Sequence, residues 1–376
     1  MIPNPFIITA DYYGQEYFCD RLEETRVLED NIRNGRNTVL ISSRRMGKSG
    51  LIAHVLNREL VQTNYRSFSI DLFPTSSLSE MVFLLAKEIV RPLKSNAEKM
   101  LDSFLSIVKS LRPGLKIDQV TGQLVFDLSL GEISRPTESL EEIFDYLERS
   151  DKPCLVSIDE FQQIAEYPEH NVIELLRTRV QKCRNTWFIF SGSDRRMMEK
   201  LFNNPSEPFY LSCSPLYLDA IKEDSYLEFA RKHFSLSGKN ITKECFDCVY
   251  KQFEGHTWYV QRLLNELYAW TAPGETATPQ MVSDALCYVV KTYERTFQEQ
   301  MSTMSESQKQ LLISIAKEVK AEQVTSIAFC HRHFLKSPST VQSALRVLND
   351  KGVVKKEGNV YSVANRFLGI WLKNQY

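Results

Sequence analysis

The chain has 376 residues, of which 43% are hydrophobic, 11% aromatic and 25% charged, and this composition excludes a disordered, collagen-like or disulfide-dense protein. Its length predicts two or three domains, and its net charge of −1 argues against nucleic-acid binding by the whole surface. The charge is uneven, however, because residues 301–376 carry eleven basic and five acidic side chains and the rest carry 35 and 42.

In the first half of the chain, helical segments alternate with short apolar runs. Helical spacing over residues 20–34 predicts a first helix with one apolar side, formed by Leu22, Val27, Leu28 and Ile32. The apolar runs predict buried strands at 37–42, 66–71, 153–159 and 186–192, with PFYLS at 208–212 as a candidate fifth strand. This alternation predicts parallel βαβ units with helices on both faces of one sheet.

Two further local patterns occur between the second and third of these strands. Residues 113–131 predict an inserted β-hairpin, because two apolar alternating runs flank Thr121-Gly122. The spacing of Ser139 and Glu142 predicts a capping box at the start of the next helix.

After about residue 216 the strand signals stop. Helices are predicted at 223–234, 243–253, 257–270 and 279–298. From about residue 300, the pattern predicts helices at 306–319, near 322–334 and at Ser337–Lys351, followed by a hairpin turning at Glu357-Gly358. Three helices and a hairpin with excess basic charge are typical of a winged helix-turn-helix.

The most specific motif is SSRRMGKS, from Ser42 to Ser49, which follows the first strand and opens a helix. That context is typical of a phosphate-binding loop, GxxxxGK[ST], in which backbone N–H groups and a helix N-terminus bind phosphate. We expect Lys48 to reach the β- and γ-phosphates of ATP and Ser49 to ligate Mg²⁺. The predicted nucleotide-binding residues are Ser43, Arg44, Arg45, Met46, Gly47, Lys48, Ser49 and Gly50.

One position in this loop departs from the motif. Ser42 stands where the first Gly is expected, and its Cβ would be strained if the loop required a positive φ there. The alternative interpretation of the segment is a turn rich in Ser and Arg that binds no ligand.

Polar residues also follow two later strands. PCLVSID ends in Asp159-Glu160, a Walker B pattern in which Asp159 would hold Mg²⁺ through water and Glu160 would polarise the attacking water. The next strand ends in Ser191-Gly192-Ser193, at the edge of the sheet where ligands bind, and a hydroxyl there could touch the γ-phosphate or the attacking water. The predicted catalytic residues are therefore Glu160, Lys48 and Ser193, and the predicted metal ligands are Ser49 and Asp159. The alternatives are acids that cap a helix and an ordinary Ser-Gly turn.

These motifs, with SIDEFQQI, FIFSGS, FEGHTWYVQRLLNEL and YSVANRFLGIWL, resemble the AAA+-type ATPases of the archaeal-ATPase group, which are allied to the STAND NTPases. The resemblance covers nearly the whole chain. It implies an α/β P-loop NTPase domain at 1–215 that includes the hairpin insert, a helical lid at 216–299 and a winged helix at 300–376.

The resemblance also implies roles for residues outside the motifs. The region from Phe6 to Arg21 would lie near the adenine, although the sequence itself favours core packing for Phe6. The lid would sense nucleotide near His256, Trp258 and Gln261, with helix capping as the alternative for His256. No residue is assigned as an arginine finger, and Arg184, at the end of the helix before the fourth strand, is a candidate. Arg195 and Arg196 could meet phosphate but fit a solvated helix start better.

Our first hypothesis is a cytoplasmic, Mg²⁺-dependent ATPase that couples its nucleotide state to the lid and the basic winged helix. The eight scattered cysteines favour the cytoplasm, no stretch has the roughly 18 apolar residues of a membrane span, and the segment MIPNPFIITADYYG does not have the pattern expected of a secretion signal. Cys245-x-x-Cys248 and Cys330-His331-x-His333 lie too far apart to predict a zinc site.

The partner is left open by the sequence. Residues 337–356 are the candidate contact with double-stranded DNA, with Ser339, Thr340, Gln342, Ser343 and Arg346 exposed on the helix and Lys351, Lys355 and Lys356 at the wing. A winged helix can instead pack against a protein. Two alternatives for the whole chain are an ATP-binding switch with negligible turnover and a protein partner, and a DNA-binding protein that uses the NTPase fold as a scaffold.

Overall fold

The computed structural model describes residues 4–9, 14–90, 104, 106–110, 133 and 135–376, and the backbone of 115–117 and 124–126. The chain divides into two compact units. The first comprises residues 7–229 and 255–259, and the second comprises residues 1–6, 230–254 and 260–376. None of the helices in the described part of the chain combines the length and the hydropathy that crossing a membrane requires.

The first unit is organised around a five-stranded parallel sheet. Its strands, with one separate antiparallel pair, are β1 (Thr38–Ile41), β2 (Arg66–Asp71), β3 (Leu115–Ile117), β4 (Leu124–Phe126), β5 (Cys154–Asp159), β6 (Thr186–Gly192) and β7 (Ser214–Tyr217). The order across the sheet is β2-β5-β6-β1-β7, so β6 lies between β1 and β5. The pairing of β3 with β4 confirms the inserted hairpin, whose turn at Thr121-Gly122 lies outside the described residues.

Helices cover both faces of this sheet. They are α1 (Leu22–Arg33), α2 (Lys48–Leu56), α3 (Glu59–Asn64), α4 (Leu78–Val90), α5 (Pro136–Glu148), α6 (Val172–Lys182) and α7 (Arg195–Asn203). Alternate strand residues enter two separate buried clusters: Val39 and Ile41 pack with α4 and α5, whereas Leu40 packs with α1 and α2. This two-sided burial confirms the predicted α/β architecture.

Three local predictions in this unit are wrong. PFYLS at 208–212 forms turns, with Phe209 buried in the core and Leu211 at φ +50°, and the fifth strand is β7. The predicted capping box fails because α5 already begins at Pro136, and Glu142 instead accepts hydrogen bonds from the N–H and hydroxyl of Ser110.

The third error concerns the buried side of α1. Leu28 and Ile32 are buried as predicted, but Leu22 is 75% exposed and Val27 is 38% exposed. The polar Thr25 and Asn31 are buried instead. Asn31 donates a hydrogen bond to Thr38 at the start of β1, which accounts for a polar side chain on the inner face of this helix.

The second unit is mainly helical. Its helices are α8 (Glu223–Leu236, from residue 230), α9 (Lys243–Phe253), α10 (Thr257–Trp270, from residue 260), α11 (Pro279–Thr292), α12 (Glu294–Ser302), α13 (Glu306–Glu318), α14 (Ile327–Arg332), α15 (Pro338–Asp350) and α16 (Arg366–Gln375). Its strands are β8 (Asn240–Ile241), β9 (Thr276–Ala277), β10 (Ala321–Glu322), β11 (Val354–Glu357) and β12 (Val360–Val363).

The C-terminal part of this unit has the predicted order of three helices and a hairpin. Ser337 caps α15 through its hydroxyl, and β11 pairs antiparallel with β12. Two boundaries differ from the prediction. The segment 279–298 breaks at Tyr293, whose ring stacks on Phe367, and α14 is shorter because its cap is Ser326.

Candidate nucleotide-binding site

The loop after β1 has the backbone that a phosphate site requires. Gly47 adopts φ +93° immediately before α2, a conformation that strongly favours glycine. Ser42 is buried and does not have a positive φ, so the serine that replaces the motif's first Gly imposes no strain. Since α2 begins at Lys48, its unpaired N–H groups and positive dipole end lie at this loop.

The carboxylate of Asp159, at the end of β5, is hydrogen-bonded to residues from two other parts of the site. Its Oδ2 accepts a hydrogen bond of 2.7 Å from Ser49 Oγ, and its Oδ1 accepts one of 2.6 Å from Ser191 Oγ. Ser49 lies in α2, directly after the loop that follows β1, whereas Asp159 and Ser191 come from β5 and β6. The structure therefore brings together the two residues that were predicted as metal ligands.

The neighbouring Glu160 is held in a second set of hydrogen bonds. Its Oε2 accepts from Ser193 Oγ at 2.7 Å, from Ser193 N–H at 3.3 Å and from the side-chain amide of Gln162. Glu160 adopts φ +52°, an uncommon conformation for a residue with a side chain. Such strain is often found at functional sites, and here it directs the carboxylate toward the end of β6.

Lys48 is a buried cation that makes no ion pair among the described residues. Burial lowers the pKa of its ammonium group, and the charge of Arg44 adds to that shift, whereas the carboxylates of Glu160 and Asp159 oppose it. A cation that is removed from water without a bonded counter-charge is unfavourable. An anionic phosphate at the loop would supply that counter-charge.

The other predicted loop residues are placed in different ways. Arg44 is exposed, with its guanidinium 5.9 Å from the Phe73 ring centroid, whereas the side chain of Arg45 contacts Trp258 and Tyr259. Met46 is buried in the core under the loop. A Cβ at Gly50 would meet nothing within 4 Å, and the carbonyl of Ser43 accepts a hydrogen bond from Ser42.

The donor set at Asp159 fits magnesium. Mg²⁺ prefers hard oxygen ligands and is usually bound by one or two carboxylates together with substrate phosphates. Ser49 and Asp159 offer a hydroxyl and a carboxylate within hydrogen-bond distance of each other. No group of three or more His, Cys, Asp or Glu suited to a metal occurs among the residues that the structure describes, so an ion here would depend on the nucleotide for further ligands.

Sequence reasoning missed two residues of this site. Gln162 holds Glu160, although only its place in the DEFQ block pointed to it. Asp71 ends β2 in register with Asp159. Although Asp71 is exposed, partial removal of its carboxylate from water raises its pKa, and the charges of Asp159 and Glu160 add to this effect. The available signal was an acidic residue, Asp71, at the end of the predicted strand 66–71.

Residues that the resemblance singled out have mixed positions. Phe6 is fully buried in the second unit against Phe234 and Tyr268, which is the packing role favoured by its sequence. His256 precedes α10 and its carbonyl accepts from Tyr259 N–H. Arg184 is exposed before β6, at the end of the sheet opposite to the site.

The remaining candidates are not among the hydrogen-bond partners of Asp159 and Glu160 given above. Gln261 belongs to the second unit. Arg195 and Arg196 are exposed at the start of α7, where Arg195 pairs with Glu199 at 3.0 Å. These positions agree with a solvated helix start.

The candidate DNA-binding segment, residues 337–356, exposes most of its predicted contacts. Ser339, Gln342, Ser343 and Arg346 are exposed on α15, but Thr340 is partly buried and bonds to Ser337. Lys351, which was predicted at the wing, is instead exposed at the C-terminal cap of α15. At the wing, Lys356 is exposed, whereas Lys355 is partly buried and donates to Glu357 at 2.9 Å.

Two families of known domains match the chain. Residues 18–263 match a family described as an ATPase domain predominantly from Archaea. Residues 295–374 match a family described as a probable winged helix domain. No curated protein matches the chain.

Several solved structures have a similar fold over nearly the whole chain. The Walker-type ATPase paby2304 of Pyrococcus abyssi is 17% identical with a TM-score of 0.66, covering 98% of this chain and 99% of that one. The ORC1 protein of Aeropyrum pernix in complex with DNA is 14% identical with a TM-score of 0.55, covering 99% and 96%. The ORC2 protein of the same organism, with ADPNP and ADP, is 13% identical with a TM-score of 0.57 and the same coverage. At these identities the likeness concerns the fold alone.

Proposed function

Since the chain belongs to the family of ATPase domains that come predominantly from Archaea, we propose that it binds ATP with Mg²⁺ at the loop 42–50 and hydrolyses the bond between the β- and γ-phosphates to give ADP and phosphate. The observation that carries this proposal is the pair of hydrogen-bonded carboxylates beside the loop. Asp159 bonds to Ser49 and Ser191, and Glu160 bonds to Ser193 and Gln162. The two acids therefore have different partners and can perform different tasks.

In this proposal the loop binds and orients the triphosphate. Lys48 pairs with the β- and γ-phosphates, and the N–H groups at the start of α2 donate to their oxygens. Ser49 and Asp159 would hold the magnesium ion, which when bound neutralises charge on the phosphates. Arg44 is the arginine of the loop whose exposure leaves it available to phosphate.

Glu160 orients and polarises the attacking water. Ser193 and Gln162 fix its carboxylate through donated hydrogen bonds, which limits its freedom to turn away from the water. Ser193 would thus act on the water through Glu160. A carboxylate held by donor groups from these two residues remains an acceptor, as the task of positioning a water requires.

The hydrolysis proposal is tested by ATP turnover and ADP affinity in the wild type and in Glu160→Gln. We expect Glu160→Gln to lose turnover by a factor of about 10² or more, within the usual range for a general base, and to keep its nucleotide affinity. Equal background turnover in both proteins would overturn hydrolysis and favour the nucleotide-dependent switch. If the wild type binds neither ADP nor ATP, nucleotide binding itself is wrong.

A second candidate function is double-stranded DNA binding through residues 337–356. It is supported by the exposure of Arg346, Lys351 and Lys356 around α15 and the wing and by the net positive charge of residues 301–376. One protein of similar fold, ORC1 of Aeropyrum pernix, was solved with DNA. Basic side chains on a helix and a wing can neutralise phosphates along a groove.

This candidate is tested on the full chain by measuring duplex affinity at two salt concentrations. Replacing Arg346 and Lys351 together by Ala should weaken binding and lower the salt slope by about two, if each contacts one phosphate. A double variant that binds duplex like the wild type at both salt concentrations would contradict a DNA contact at these residues.

A further inference from the structure

The carbonyl of Met46, inside the phosphate-binding loop, accepts two hydrogen bonds from outside the loop. Arg21 Nη2 donates to it at 3.2 Å, and Thr257 Oγ1 donates at 3.2 Å. Arg21 is itself fixed, because the same nitrogen donates to the carbonyl of Asp219 at 2.6 Å. The orientation of the peptide plane between Met46 and Gly47 is therefore set by two donors.

This orientation matters for phosphate binding. In a trans peptide the N–H points opposite to the C=O, and cis peptides are absent from the described residues. Holding the Met46 carbonyl against Arg21 and Thr257 consequently turns the Gly47 N–H away from them. Gly47 immediately precedes α2, where N–H groups without a helical partner bind anions.

Arg45 is held by the same segment that supplies Thr257. Its guanidinium lies 4.2 Å from the ring centroid of Trp258 and 4.9 Å from that of Tyr259, and its Nη1 donates to Tyr259 Oη at 2.5 Å. The N–H of Trp258 donates back to the Arg45 carbonyl at 3.1 Å. Arg45 adopts φ +69°, an unfavourable conformation for a residue with a Cβ, which these contacts stabilise.

We propose that residues Thr257–Tyr259 are a positioning element for the phosphate-binding loop, and that Arg45 acts through this element rather than as a phosphate ligand. This inference rests on the proposed nucleotide binding at the same loop. It gives the two loop arginines different roles, because Arg44 remains exposed near Lys48. It also gives Arg21 the role of holding the loop backbone through the Met46 carbonyl.

A measurable coupling follows from this arrangement. The contacts of Thr257–Tyr259 with the loop are called the clamp below. If the loop binds nucleotide tightly only when the clamp is formed, a variant that releases the clamp lowers the fraction of protein that is competent to bind. The apparent Kd then rises in proportion. Nucleotide must reciprocally stabilise the clamp. Arg45 and Trp258 should then behave as one unit in binding, whereas a direct phosphate ligand would act independently of the tryptophan.

The test is a double-mutant cycle on ADP affinity with Arg45→Ala, Trp258→Leu and the double variant. We expect each single variant to raise the Kd about 10-fold, and we expect the double variant to match the singles rather than reach about 100-fold. For ATP turnover, KM should rise while kcat at saturation changes less than about twofold. Arg295→Ala and Trp270→Leu are matched controls, because Arg295 is exposed on α12 and Trp270 lies at the far end of α10.

Each other outcome overturns the inference in a recognisable way. Additive effects, or a loss in Arg45→Ala that Trp258→Leu does not share, would make Arg45 a phosphate ligand. Wild-type affinity in all three variants would remove any role of the clamp while leaving nucleotide binding intact. A wild type without ADP affinity would overturn the proposed function as well. If the other variants fail to fold, Tyr259→Phe takes their place, because it deletes only the hydroxyl bonded to Arg45. Unchanged ADP affinity in Tyr259→Phe would count against the clamp.

Discussion

The phosphate-binding loop and the winged helix hold their charged side chains in opposite ways. Lys48 is 5% exposed, and the next residue, Ser49, donates a hydrogen bond to Asp159 at the end of β5. The side chain of Arg346 is 85% exposed, and its ion-pair partner within the described part of the chain is Asp350 on its own helix, at 3.9 Å. Because buried polar groups depend on specific partners and exposed ones do not, single changes should be severe at the loop and graded at the winged helix.

The largest expected effect is that of Lys48→Ala on nucleotide affinity. Loss of a buried cation that pairs with phosphate should cost about 2–5 kcal/mol, or roughly 30- to 5,000-fold in Kd. The ligand-free protein should not lose stability, because Lys48 makes no ion pair among the described residues and burial lowers its pKa. Titration with ADP and a thermal unfolding curve of the free protein measure the two effects.

A matched change at an exposed lysine tests whether burial is the cause. Lys373→Ala removes a charge from α16 and should leave ADP affinity unchanged. Nucleotide affinity retained in Lys48→Ala would show that the loop does not use this cation. The contrast between the loop and the winged helix would then fail at its strongest point.

The second effect concerns Gly192, against which Gln162 and Met198 are packed. A Cβ at Gly192 would lie 2.6 Å from Met198 Sδ and would collide with Gln162, which holds Glu160. We expect Gly192→Ala to cost about 1–3 kcal/mol of stability, as overpacked cores do, and to lower ATP turnover. Denaturant unfolding and an ATPase assay measure these changes.

Gly50→Ala is the matched control for stability. Gly50 lies in α2, and a Cβ at this position would meet nothing within 4 Å. Alanine is also more favourable than glycine in a helix by roughly 0.8–1.0 kcal/mol. Gly50→Ala should therefore leave stability unchanged or raise it. Equal stability of the two variants would mean that the side chains around Gly192 can relax. The close packing of Gln162 and Met198 on Gly192 would then make no contribution to stability.

Local patterns predicted the sheet and the loop because they are properties of short segments. The run TVLI, the spacing SSRRMGKS and the acids of SIDE each specify an element and its end. The orientation of Arg45 was not predictable, because it depends on Trp258, which is distant in the chain. Gln162 was missed for a similar reason, since its role appears only when Glu160 and Gly192 lie beside it.

At the wing, two adjacent lysines differ in their freedom to meet DNA. Lys356 is exposed, whereas Lys355 is partly buried and bonded to Glu357. If this wing binds duplex DNA, Lys356→Ala should lower the salt slope by about one, and Lys355→Ala should change it less because its charge already has a partner. Affinities measured at several salt concentrations on the full chain check this order. Equal slopes for both variants and the wild type would exclude the wing as a DNA contact.

The smallest effect is expected at Glu254, a surface carboxylate with two cationic partners. Burial disfavours its ionisation, but hydrogen bonds from Lys320 and Arg366 and their charges outweigh this and lower its pKa to about 2. A lowered pKa means that the ion pairs stabilise the fold above the ordinary value of 4.5 and lose that contribution as pH falls toward 2. Because the side chain is 43% exposed, Glu254→Gln should lose at most about 1 kcal/mol at pH 7. The difference in unfolding midpoint from the wild type should shrink between pH 5 and pH 2.5, whereas Glu299→Gln, in the more exposed pair with Arg295, should differ little at either pH. A difference that persists unchanged at pH 2.5 would mean that Glu254 stabilises the unit by packing rather than by charge.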